Sequence, residues 1–93
     1  MTEPTKETVL EAIAECRRIG ETRFINRYAD GKRPRSHYVE YDTGAGIEHL
    51  PLKAIWAAAH RPPVRTATFN TETAEAGLKR LGFNSVMLPK RVR

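Results

Sequence analysis

The side chains with chemistry to offer in this chain are three histidines, one cysteine, a row of glutamates and eleven arginines. His37, His49 and His60 stand twelve and eleven residues apart, and no cysteine or paired carboxylate lies at ligand spacing from any of them. A bound metal needs several converging donors, so no metal site is expected. Cys16 falls on the apolar side of an amphipathic segment, where a thiol behaves as a small hydrophobe and not as a thiolate nucleophile. Glu7, Glu11 and Glu15 recur at i, i+4 and read as a solvated helix face, more simply than as a general acid/base pair. Gly44-Ala45-Gly46 lacks both the Lys-Ser/Thr pair and the helix start of a phosphate cradle, so a turn accounts for it. These residue types assign no catalytic residue and no cofactor, and the chain is expected not to be an enzyme.

What remains is the placement of positive charge. The formal net charge is +5 and the isoelectric point about 9.8. Residues 1–16 set Lys6 against Glu3, Glu7, Glu11 and Glu15, a net −3, whereas residues 17–35 set seven cations against Glu21 and Asp30, a net +5. Residues 36–60 come to −2 and residues 61–93 to +5 again. Arginine supplies eleven of the sixteen cations; its planar fork of donors suits phosphate oxygens and base edges better than the solvated point charge of lysine. Arg23 and Arg27 share a helix face at i, i+4, with Lys32, Arg33 and Arg35 in the adjoining loop, while Arg61 and Arg65 flank a Pro-Pro turn. If the two stretches fold to one side and are not each neutralised by an internal acid, they form a face for a polyanion, most commonly nucleic acid. The expected nucleic-acid-binding set is therefore Arg23, Arg27, Lys32, Arg33, Arg35, Arg61 and Arg65, with DNA as the expected partner. One strand tyrosine, Tyr38 or Tyr41, must face away from the core and is a candidate to stack on a base beside Arg33 and Arg35, with ordinary packing the competing role. The other function class that the composition admits is a protein-interaction or oligomerisation domain whose charge serves solubility.

The elements that must position these residues follow from periodicity. Val9, Ala12, Ile13, Cys16 and Ile19 mark a first helix capped by Thr5 and closed at Gly20. A shorter helix over ETRFINRYA stacks Phe24 on Tyr28 and ends at Asp30-Gly31. HYVEYD reads as a strand, DTGAG as a tight turn and IEHL as its return. Pro51 is expected at the first position of a third helix, LKAIWAAAH, which serves as the central core helix until Arg61-Pro62-Pro63 stops it. Asn70-Thr71 opens a fourth helix with Ala74, Leu78 and Leu81 inward, Gly82 ends it, and Ser85 to Leu88 suggest a last strand.

The expected fold class is thus α+β, a small single domain in the order ααββααβ, spanning 1–93 with its core over about 5–88 and flexible tails at 1–4 and 89–93. At 93 residues and 10.5 kDa there is room for one compact core, and 40% hydrophobic with 29% charged residues argues against wholesale disorder. No apolar run approaches the ~20 residues of a membrane span, and the polar opening MTEPTKET is unlike a secretory signal. A single cysteine excludes an intramolecular disulfide. A cytoplasmic location is expected.

Taken in order, the helix closing at Ile19-Gly20, the Phe24 and Tyr28 pair, the Tyr38-Val39-x-Tyr41-Asp42 strand, Lys53-Ala54-Ile55 opening an Ala-rich helix, Phe69 before the last helix and the closing Leu81-Gly82-Phe83 resemble the N-terminal head domain of McrA-type HNH endonucleases, which are modification-dependent restriction enzymes. The likeness covers about residues 8–84. It departs from that pattern in the longer DTGAGIEHLP segment and in Asn70-Thr71, where the family carries Gly-Gly. The resemblance implies a restriction or DNA-processing context, here as a stand-alone head, with a nuclease or other DNA-processing protein as a further candidate partner. The recognition and nuclease domains that follow the head in such enzymes have no counterpart among these residues, so cleavage activity is not carried over. Fold alone does not fix function.

Overall fold

The computed structural model describes residues 3–31 and 37–87. Helix α1 runs over Lys6–Ile19, α2 over Glu21–Tyr28, α3 over Leu52–Ala59 and α4 over Thr71–Arg80, with a single 3-10 turn over Thr66–Thr68. Strands β1, β2 and β3 cover His37–Asp42, Ile47–Pro51 and Asn84–Met87. The element order is therefore ααββααβ, and the α+β expectation holds. Both β2 and β3 pair antiparallel with β1, giving the sheet order β2-β1-β3.

Local chemistry sets the helix ends. Thr5 accepts the backbone N–H of Thr8 while the Thr8 hydroxyl accepts that of Thr5, a reciprocal cap that satisfies two otherwise orphaned donors. Gly20, at φ 94°, is at once the last cap of α1 and the first of α2. This single residue lets two helices meet with no loop between them, in a backbone region that side chains rarely adopt. At the end of α4, the N–H of Gly82 reaches Lys79 and that of Phe83 reaches Leu78, the paired bonds of a Schellman motif. Pro51 differs slightly from expectation: it closes β2 opposite Tyr38 and caps α3 from outside, so Leu52 opens the helix. With extended backbone and no N–H to satisfy, proline suits that strand-to-helix corner.

The core gathers around α3. Seven of its eight residues are buried and only Lys53 is not, as befits a helix with neighbours on all sides. It packs against α1, α2, α4 and the β1–β2 hairpin. Val9, Ile13 and Cys16 come in from α1, Phe24 and Ile25 from α2, Val39 and Leu50 from the sheet and Leu78 from α4. Pro4, just ahead of the first helix, is also buried. In β1, Val39 and Tyr41 share the inward side, so Tyr38 is the tyrosine that faces the other way. The tails at 1–2 and 89–93 lie outside the described residues.

Candidate nucleic-acid interface

Helix α2 owes its position to Phe24 and Ile25, both buried, and this turns Arg23 and Arg27 to solvent. Arg27 Nη1 donates to Glu15 Oε2 of α1 at 2.6 Å, and the Tyr28 hydroxyl donates to the other Glu15 oxygen at 2.7 Å. The Glu15 side chain is only 18% exposed, so it clamps α2 onto α1 through two donors. Burial and this hydrogen bond push the Tyr28 hydroxyl above its usual pKa, and the Glu15 hydrogen bond does the same for Arg27. One helical turn earlier on α1, Glu11 accepts Arg61 Nη2. Arg61 Nη1 also donates to the carbonyls of Ala58 at 2.7 Å and His60 at 3.2 Å. It thereby satisfies the unpaired end of α3. Arg65 Nη2 lies 3.6 Å from Asp30 Oδ2, at the end of α2.

Arginines from two distant segments are thus each set against an acid of their own, on α1 or just past the end of α2, and so are largely neutralised: Arg27 with Glu15, Arg61 with Glu11 and Arg65 with Asp30. Arg23, a turn before Arg27, is exposed and has no ion pair among the described residues. Lys32, Arg33 and Arg35 lie outside the described residues. Sequence reasoning missed the acids, having read Glu11 and Glu15 as a bare solvated face. The available signal was the acidic i, i+4 row on α1, two members of which, Glu11 and Glu15, take arginines, but which helix lay beside it was a tertiary fact. Arg17, not predicted as a site residue, bridges α1 to β2 through Glu48 at 3.0 Å and sits 5.7 Å from the Tyr41 ring centre.

The remaining chemically capable groups are absorbed by packing. Among the described residues no group of three His, Cys, Asp or Glu side chains could hold a metal ion. The ring Nδ1 of His60 is 2.8 Å from the Trp56 carbonyl, and the ring lies edge-on to Trp56 and stacked near Phe69. Lys53 Nζ rests 5.5 Å from the centre of Phe69, a cation–π contact. A shallow groove between α4 and β3 contains Glu75, hydrogen-bonded to Ser85, and none of the predicted arginines. Within the described residues, no helix is long and apolar enough to cross a membrane.

Cys16 is buried, and its thiol pKa is pushed up to about 12, first by desolvation and then by the charges of Glu21, Glu48 and Glu15. Because the folded pKa is raised, the unfolded chain loses this proton first. The stability tied to the neutral thiol is complete below pH ~9 and falls as pH climbs toward about 12. Native protein at pH 8 should therefore resist thiol-specific reagents until denaturant is added, and Cys16→Ala should flatten the alkaline fall in melting temperature. Rapid labelling of folded protein would refute the burial.

Four helices against a three-stranded antiparallel sheet define a small α+β domain. The chain belongs to the ScoMcrA-like N-terminal head domain family, which matches residues 2–86. No curated protein matches it. Among solved structures, that of the type IV phosphorothioation-dependent restriction endonuclease ScoMcrA matches with 29% sequence identity and a TM-score of 0.64. The match covers 97% of this chain and 14% of that one, so this chain spans about a seventh of the length of its structural neighbour.

Proposed function

We propose that this head domain is a non-catalytic module of a restriction or DNA-processing system that binds duplex DNA through phosphate contacts. The observation that supports the reading is exposed Arg23, which has no ion pair among the described residues, on the helix that also carries Arg27; Arg27, Arg61 and Arg65 are each set against an internal acid, so they reach a phosphate only by exchanging that partner. Lys32, Arg33 and Arg35 belong to the same proposed set by their place in the chain directly after Gly31. Family membership supports the DNA context. Contacts of this kind give affinity without sequence information, which suits a module that holds an assembly on DNA while other parts read or cut it.

About four phosphate contacts give a slope of log K against log[salt] of about −3 to −4, so raising salt from about 50 to about 200 mM weakens binding about 100-fold. Fluorescence anisotropy with a labelled duplex measures this. A flat response at low salt discards the reading. A second reading, docking onto a larger protein, is favoured by Met87 and Ile47, which are 69% and 52% exposed. It predicts a concentration-dependent mass, or a complex with a nuclease, that survives high salt.

A further inference from the structure

We propose that Glu11 and Asp30 are internal competitors for the guanidinium groups of Arg61 and Arg65, and so set how strongly this side of the domain holds DNA. The proposal rests on the reading of that side as a phosphate-binding face. It separates the three acids by what each one does to its arginine. Glu15 is largely buried and is fixed by Tyr28 as well as Arg27, so it is a positioning residue for α2. Glu11 and Asp30 are not built this way.

Arg61 is already held by the carbonyls of Ala58 and His60, which accept from Nη1, while Glu11 takes only Nη2. The backbone fixes the guanidinium, and the Glu11 side chain, 65% exposed, adds charge neutralisation without being needed for placement. Arg65 and Asp30 lie 3.6 Å apart, beyond hydrogen-bond distance. Their side chains are 78% and 57% exposed, so the pair is a loose association in water. Exposed ion pairs of this sort are weak and sensitive to salt. A phosphate presents the same kind of oxygen to the same N–H groups; Glu11 occupies one donor of Arg61, and both carboxylates repel the incoming strand. Removing the carboxylate should leave Arg61 held by the two carbonyls and free both arginines for DNA.

The test is anisotropy with a short labelled duplex at low salt, comparing wild type with Glu11→Gln, Asp30→Asn and, as a charge control, Glu72→Gln. Glu72 is exposed in the first turn of α4, has no ion pair among the described residues, and its replacement changes net charge by the same amount. Circular dichroism confirms that each variant is folded. Glu11→Gln and Asp30→Asn are each expected to tighten binding about two- to fivefold relative to Glu72→Gln, with the gain shrinking as salt rises. If wild type binds with the expected salt dependence but both variants only match Glu72→Gln, the competitor role is overturned while the DNA-binding reading stands. If folded wild type and variants all fail to bind, the underlying reading falls and the competitor role with it.

Discussion

Replacing Phe24 with alanine should remove a large share of the domain's stability. Phe24 is fully buried, lies 4.8 Å from Tyr28 in a tilted ring pair, and is the largest fully buried side chain of α2. Truncations of buried phenylalanine cost about 3–5 kcal/mol, the lost burial plus the cavity left behind. A chain of this length typically holds about 5–14 kcal/mol in total, so the loss is a third or more of the total over much of that range. At about 4–8 °C per kcal/mol for a domain of this size, the melting temperature should fall by more than about 12 °C. Thermal unfolding followed by circular dichroism measures the shift, and a change of only a few degrees would mean that α2 is not anchored as described. The effect reaches the arginines as well: α2 carries Arg23 and Arg27, and Ile25 together with the Glu15 clamp are its other described ties there.

Gly77→Ala should be destabilising even though alanine is the better helix former. A methyl at Gly77 would lie 2.5 Å from Trp56 Cζ2 and closer still to Cη2, where real contacts do not occur. Helix propensity favours the change by about 1 kcal/mol. The obstructing group, however, is a rigid indole that is itself buried at the centre of the fold, and neither α3 nor α4 can move aside without opening the core. Overpacking of this severity belongs at or above the upper end of the usual range of about 1–3 kcal/mol, leaving a net loss of about 2 kcal/mol. That corresponds to a melting point lower by about 8–16 °C. The double variant Gly77→Ala/Trp56→Phe should recover part of the loss, because the smaller ring vacates the space the methyl needs. A Gly77→Ala protein more stable than wild type would show that propensity, not the close approach of α3 and α4, governs the site.

These two positions also mark where the sequence was legible. Phe24 and Tyr28 announce themselves by i, i+4 spacing, as do Val9, Ile13 and Cys16, because a helix must bury one stripe and the stripe is local information. The Thr5 and Asn70 caps and the Gly82-Phe83 ending are equally local. Gly77 gave no such signal, since a glycine inside a helix says nothing about the neighbour that requires it; only the crossing of α3 and α4 puts Trp56 there. The candidate site divides the same way. That Arg23 and Arg27 share a face could be read from their spacing. Their meeting with Glu15, and that of Arg61 with Glu11, joins groups twelve and fifty residues apart and depends on how α1 lies against α2 and α3. Charge totals show that cations outnumber acids, but not which acid each cation finds.

The strand register has a consequence for anything attached to this domain. Met87 of β3 lies opposite His37, the first residue of β1, and Pro51, where β2 hands over to α3, lies opposite Tyr38. A polypeptide extended past β3 would accordingly depart from the doorstep at which the chain re-enters the sheet after Gly31. A fusion partner joined there by a short, stiff tether would hang from that end of the sheet, whereas one joined ahead of Thr5 would start from the opening turn of α1. The choice of terminus therefore decides which flank of the head is left unobstructed.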